Sequence, residues 1–187
     1  MEFQPPNPLK LGYFGAVAAW QLDVLAAVAE ALDGTDTQLH IYSGIAQLPG
    51  ELDLKGVCLK GMIDTHEIVK VMSDYDALLL PISFLEKNRN MSEFNIATKM
   101  SEYLASGVPI LAVGPEYAAM MKYLKSSEAA ILVESDLPGD IKNAFKQFQD
   151  KEGILKILLN AQKLVVSETG AITMRKRWTD VLNKSSS

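Results

Sequence analysis

One stretch of the chain concentrates residue types that could do chemistry: Asn95-Ile-Ala-Thr98-Lys99-Met-Ser-Glu102-Tyr-Leu-Ala-Ser-Gly107-Val-Pro109. Its apolar spacing, stopped by Gly107 and Pro109, predicts a helix from about Ala97 to Ser106. A helix N-terminus offers free backbone N–H groups and the positive end of the dipole, a natural seat for phosphate oxygens. Lys99 would add a mobile cation there. Glu102, one turn deeper, carries two oxygens suited to a cis-diol. The same spacing also suits an ordinary i,i+3 Lys–Glu pair on a surface helix, worth only about 0.2–0.5 kcal/mol. Position alone leaves both readings open.

Other candidates carry less. His40 and His66 are the only histidines and Cys58 the only cysteine, so no metal site is expected. Asp74-Tyr-Asp76 has the D-x-D form of a divalent-metal clamp, but it directly precedes a strand, at the amino end of the sheet. It reads better as helix-end polarity followed by a strand-entry residue. Gly12-Tyr-Phe-Gly15-Ala-Val is not the dinucleotide fingerprint G-x-G-x-x-G, and no acidic residue ends the second strand to hold an adenosine ribose. There is no G-x-x-x-x-G-K-[ST] and no G-x-S-x-G, which removes P-loop chemistry and weakens a hydrolase reading.

The elements that must position these residues alternate. Apolar runs at 11–15, 39–42, 57–59, 77–80, 110–113 and 130–133 read as strands. Helical spacing recurs over 17–32, 64–72, 97–106 and 116–124, then over about 140–148, 153–166 and 171–182. Asp64 with Glu67 has the form of a capping box, and 83–96 reads as a long polar loop. Alternation with short turns predicts an α/β fold: a single doubly wound, Rossmann-like domain whose six-stranded parallel sheet has the order 3-2-1-4-5-6, with C-terminal helices. Such sheets bind ligands outside the carboxyl ends of their strands, which nominates the loops after Phe14, Tyr42, Leu59, Leu80 and Val113.

Composition bounds the rest. The chain has 187 residues, 48% hydrophobic and 22% charged, enough for one domain that buries roughly 70% of its unfolded surface. Residues 1–9, rich in proline, read as a linker-like lead-in, 10–184 as the domain and 185–187 as a disordered tail. A net charge of −5 argues against nucleic acid as a partner. No apolar run reaches the ~18 residues of a membrane span, the N-terminus lacks the features of a signal peptide, and a lone cysteine suits a reducing, cytoplasmic setting.

Lys99-Met-Ser-Glu102-Tyr-Leu-Ala-Ser-Gly-Val-Pro109 resembles the K-x-x-E-Y-L-A-x-G-x-P segment in the C-terminal domain of GT-B glycosyltransferases of the large family 4 (group 1) type. Gly12-Tyr-Phe-Gly15-Ala-Val-Ala-Ala-Trp20-x-x-Asp23 is similar to the opening of a capsule- and exopolysaccharide-type branch. Gly61, Asp76 before Leu80-Pro81, and Trp178 also fall where such domains have them, and the resemblance spans about residues 10–182. It implies one half of a GT-B fold that holds a nucleotide-sugar donor, with a UDP- or GDP-sugar as substrate and no cofactor or metal, and a retaining outcome in family 4. It implies that Glu102 binds the ribose hydroxyls, that Lys99 and the amides around Thr98 face the diphosphate, and that Gly15 and Ala16 approach the phosphates. Asn95 belongs to the same donor-side set. Gly44 and Met62-Ile63 would wall the base.

Three departures stand out. Phe94 occupies the position of the first glutamate of the family's E-x7-E pair, Ala16-Val-Ala-Ala19 replaces the usual phosphate-clamping cations, and Ala97 stands where proline is common. The length is about half that of a GT-B enzyme. The expectation is therefore a donor-binding domain that transfers sugar to a glycan or lipid-linked glycan acceptor only with an N-terminal acceptor domain, in the same chain or a second one. On this reading the isolated chain is inactive, its catalytic residues lie in that other half, and any peripheral membrane contact is made through it. The alternative is a non-catalytic interaction or scaffold domain with a degenerate nucleotide site.

Overall fold

The computed structural model describes residues 8–96 and 98–169. The lead-in up to residue 7, Ala97, the expected helix at 171–182 with Trp178, and the expected tail lie outside the described residues.

Six strands form one parallel sheet: β1 (Lys10–Phe14), β2 (Gln38–Tyr42), β3 (Val57–Gly61), β4 (Ala77–Pro81), β5 (Ile110–Val113) and β6 (Ile131–Val133). Their spatial order is β3-β2-β1-β4-β5-β6, the doubly wound order expected from the alternation. Side chains alternate between the faces with the period of two that strands impose. Leu11, Tyr13, Leu39, Ile41, Leu79, Leu111 and Val113 pack on one face, under helices α1 (Leu22–Ala31) and α6 (Pro138–Phe145) and the start of α7 (Lys151–Leu164), whose Ala161 belongs to the core of the opposite face. Phe14, Leu78, Leu80, Ile110 and Ala112 pack on the other, under α2 (Ile68–Met72), α4 (Thr98–Ala105) and α5 (Ala119–Ser127). β4 is buried along its whole length, which is why its sequence is apolar throughout.

Several boundaries differ from the sequence reading. Helix α1 starts at Leu22, five residues later than its periodicity suggests, because 15–21 form a loop over the carboxyl end of β1. Asp64 and Glu67 make no capping box: Asp64 Oδ1 accepts from the His66 amide at 2.9 Å in a turn, and α2 begins only at Ile68. The expected loop 83–96 holds a 3-10 turn (Glu86–Asn88) and a short helix, α3 (Arg89–Phe94). Helix α5 starts three residues later than expected, after a turn in which the Ala118 amide donates to the Pro115 carbonyl at 3.0 Å. At the amino end of the sheet, the Lys10 amide donates to Asp76 Oδ2 at 2.8 Å. Asp76 is thus a strand-entry residue that clips β1 to β4.

β1 and β4 are the neighbours at which the chain reverses its direction of travel through the sheet. They pair only at Leu11↔Ala77 and Gly12↔Leu78. Beyond that point they part, and the crevice that a doubly wound sheet offers its ligands opens there.

Candidate functional site

The parting of β1 from β4 leaves the Phe14 amide without a strand partner on that side. Tyr103 supplies one: its fully buried hydroxyl accepts from Phe14 N at 3.0 Å. This bond fastens α4 to the end of β1. Gly107, at φ +75°, supplies the left-handed residue just past the helix end that lets the chain turn into β5.

With α4 fastened in this way, Lys99 in its first turn extends across the crevice. Its ammonium lies 4.4 Å from the centroid of the Tyr13 ring, in cation–π range. It also lies against Gly15, where a methyl group would occupy the space of Lys99 Nζ and come within 2.7 Å of Cε. The absent side chain at 15 is therefore what admits the lysine. Burial pushes the Lys99 ammonium down to about 8, and the Glu102 carboxylate pulls part of the way back up.

Tyr13 holds the loop as well as the lysine. Its hydroxyl lies 2.6 Å from the Ala16 carbonyl, to which it donates, and 2.8 Å from the Gln21 side-chain amide. Burial raises the Tyr13 pKa above its ordinary value, which keeps the phenol a donor. The Gly15 amide donates to the Tyr42 carbonyl at 2.9 Å. Asp23 Oδ2 accepts from Ser83 Oγ at 2.9 Å and from the Phe84 amide at 3.0 Å, joining the first turn of α1 to the loop after β4.

An open pocket of about 430 Å³ lies beside this arrangement, at the carboxyl ends of β1, β2 and β3. Gly15, Ala16, Gly44, Met62 and Ile63 all line it, five of the nine residues the sequence nominated. Phe14 and Tyr42 complete its floor, with their rings stacked at 4.6 Å and 3°. Met62 is 83% exposed at the rim. Lys99 stands at the Gly15 edge and Glu102 is exposed one turn along α4. Thr98 opens that helix. Asn95, extended just past α3, lines a separate small pocket at the end of β4, with Trp20, Gln21 and Ser83.

Sequence reasoning missed Tyr13, Tyr42 and Tyr103 as parts of the site. Tyr103 stands inside the nominated segment itself, and Tyr13 stands between two nominated glycines. As aromatic residues in apolar runs they read as core. The arrangement offers a mobile cation, a loop with its backbone exposed, and a mixed aromatic and backbone-lined pocket for a flat ring. Among the described residues no group of three His, Cys, Asp or Glu side chains could hold a metal ion, and no helix is long and apolar enough to cross a membrane.

No protein-family model matches the chain, and no curated protein matches it in sequence. Solved structures do resemble it. HepE from Anabaena, in complex with UDP-glucose, superposes with a TM-score of 0.69 at 16% identity, over 95% of this chain and 49% of that one. TarM gives 0.67 at 17%, over 97% of this chain and 36% of that one. The catalytic domain of cholesterol-α-glucosyltransferase from Helicobacter pylori gives 0.58 at 14%, over 84% and 97%. The chain spans about half the length of HepE. Likeness at such identities speaks for architecture: this chain has the fold of one Rossmann-like half of a GT-B glycosyltransferase.

Proposed function

We propose that this chain binds the nucleotide-sugar donor of a glycosyltransferase, and that it transfers the sugar to a glycan or lipid-linked glycan only together with an acceptor-binding domain. The observation that carries this reading is the placement of Lys99. A half-buried ammonium is held in a glycine-lined gap at the edge of an open pocket, where the sheet opens its crevice. A cation kept there against the cost of burial is matched to an anion. The diphosphate lies across Gly15, Ala16 and the first turn of α4, the nucleoside occupies the pocket between Gly44 and Met62-Ile63, and Glu102 takes the ribose hydroxyls. Without a clamping cation in the loop after β1, Lys99 and the helix end carry the stabilisation of the leaving diphosphate. HepE, half of whose chain this fold matches, is described with UDP-glucose bound, which supports a donor of this class. The reaction takes place in the cytoplasm, in a cleft with the acceptor half, and the isolated chain does not turn over.

A second reading is favoured by the loop after β4, where Phe94 is 78% and Ile96 50% exposed. Apolar side chains presented so openly beside a nucleotide site suit a domain that docks a partner without catalysis. A thermal-shift screen with UDP, GDP and their sugars separates the two. Stabilisation by a nucleoside diphosphate supports the donor reading, and a flat response to all of them supports the interaction domain.

A further inference from the structure

The surroundings of Lys99 differ from those of the lysines that hold a polar partner. Lys125 meets Glu116 at 3.0 Å and Glu134 at 2.9 Å, Lys156 meets Glu128 at 2.6 Å, and Lys142 donates to the Asp33 carbonyl at 2.6 Å. Among the described residues no carboxylate lies within ion-pair reach of Lys99. Its nitrogen rests instead between the Tyr13 ring, at 4.4 Å, and the bare backbone of Gly15. Neither neighbour occupies the nitrogen lone pair once a proton is lost. Gly15 also lines the open pocket at the ends of β1, β2 and β3, so a small reagent there meets the amine across a residue without a side chain.

The charges around it are few. Burial keeps the Tyr13 and Tyr103 phenols neutral, and the Glu102 carboxylate, on the same helix, favours the ammonium. Burial of Lys99 outweighs that carboxylate, and the group titrates at about 8. At pH 7 about a tenth of it is free amine, against about 0.04% of an ordinary lysine titrating near 10.4. Lower basicity gives back part of this advantage, but a desolvated lysine without a counter-ion remains a nucleophile near neutral pH.

We infer that Lys99 is a site of covalent acylation by small acyl phosphates, and that acylation switches off nucleotide binding; the switch, though not the acylation, rests on the donor reading above. The ammonium form attracts the reagent's phosphate, and the free amine attacks the adjacent carbonyl carbon. The N–C bond forms, the C–O bond to the phosphate oxygen breaks, phosphate leaves with the electron pair, and the surplus proton passes to solvent. The product is an uncharged amide. It relieves the burial of a charge beside Tyr13 and removes the one mobile cation at the proposed diphosphate seat.

The test treats the full chain with acetyl phosphate and reads the rate at each lysine by peptide mass spectrometry. At pH 8 Lys99 is expected to react about tenfold faster than the exposed Lys122 and Lys151, and its rate should level off by about pH 9. A Lys99 that reacts no faster than Lys122, or whose rate still climbs steeply between pH 9 and 10, overturns the acylation. Saturating UDP should slow Lys99 by about fivefold or more and leave Lys122 unchanged. A chain carrying acetyl-lysine at 99, installed during translation, should bind UDP about tenfold or more weakly than the wild type. A Lys99 that UDP does not protect, or an acetylated chain that binds UDP like the wild type, overturns the switch. If UDP fails to bind the wild type, the donor reading and the switch fail together, and the rate comparison at Lys99 alone decides the acylation.

Discussion

The ammonium of Lys99 lies 4.4 Å from the ring centroid of Tyr13, although α4 packs on one face of the sheet and Tyr13 belongs to the core of the other. The contact is made because β1 and β4 stop pairing after Gly12 and Leu78. It turns an ordinary opening in a doubly wound sheet into a site with a cation, and its consequences can be measured.

The first is a pH dependence of nucleotide binding. Lys99 is charged below about 8 and loses its proton as the pH rises through that value. A bound diphosphate favours the charged form and raises the pKa. Affinity for UDP should therefore fall between pH 7.5 and 9.5, a window in which the phosphate, ionising near pH 6, does not titrate. Near pH 8.5 binding should take up a proton, seen as a dependence of the calorimetric heat on buffer ionisation enthalpy. Lys99→Met should abolish both effects.

The second concerns stability. A lysine whose pKa is lower folded than unfolded destabilises the fold fully below about 8, and the penalty fades as the pH rises toward the unfolded value near 10.4. Lys99→Met should stabilise the chain by about 1–3 kcal/mol at pH 7, a rise of several degrees in Tm. The gain should shrink toward pH 10. Thermal unfolding of the two proteins at pH 7 and pH 10 checks the sign, and a less stable Lys99→Met variant at pH 7 would contradict it.

The third concerns the fastening of α4. Tyr103→Phe leaves the Phe14 N–H without its partner at a buried position, which costs about 1–3 kcal/mol. The helix then keeps only the Lys99–Tyr13 contact as a tie to β1 among the described residues, so the loss in UDP affinity should exceed that of a variant equally destabilised in the distant core, such as Ile154→Val. Denaturant unfolding and calorimetry on both variants make the comparison.

The fourth concerns the ribose. Glu102→Ala should weaken UDP binding by about 1–3 kcal/mol, and much less for a 2′-deoxy analogue that offers only one hydroxyl. Equal losses for UDP and the deoxy analogue would remove Glu102 from the diol.

The sheet was legible in the sequence because its strands are short apolar runs closed by turn residues. The doubly wound order follows from their alternation with helices. Lys99, Glu102, Gly15, Ala16, Gly44 and Met62-Ile63 were legible as loop and helix-start residues at the carboxyl edge. The start of α1 was not, because Val17 and Trp20 continue the helical period while the loop they occupy is held by the long-range contacts of Tyr13. The surroundings of Asn95 were hidden for a related reason: α3 forms within a segment too polar to show a period and redirects the chain after it. The tyrosine clamp was hidden because a buried phenol is recognised only by the atom it meets, and Phe14 lies 89 residues from Tyr103.

The most direct test is calorimetric titration of UDP and GDP, each to millimolar concentration, into the wild-type chain and Lys99→Met at pH 7. The donor account predicts saturable binding of at least one nucleoside diphosphate to the wild type and a loss of at least about tenfold on removing the ammonium. No binding of either nucleotide, or equal binding to both proteins, would contradict it.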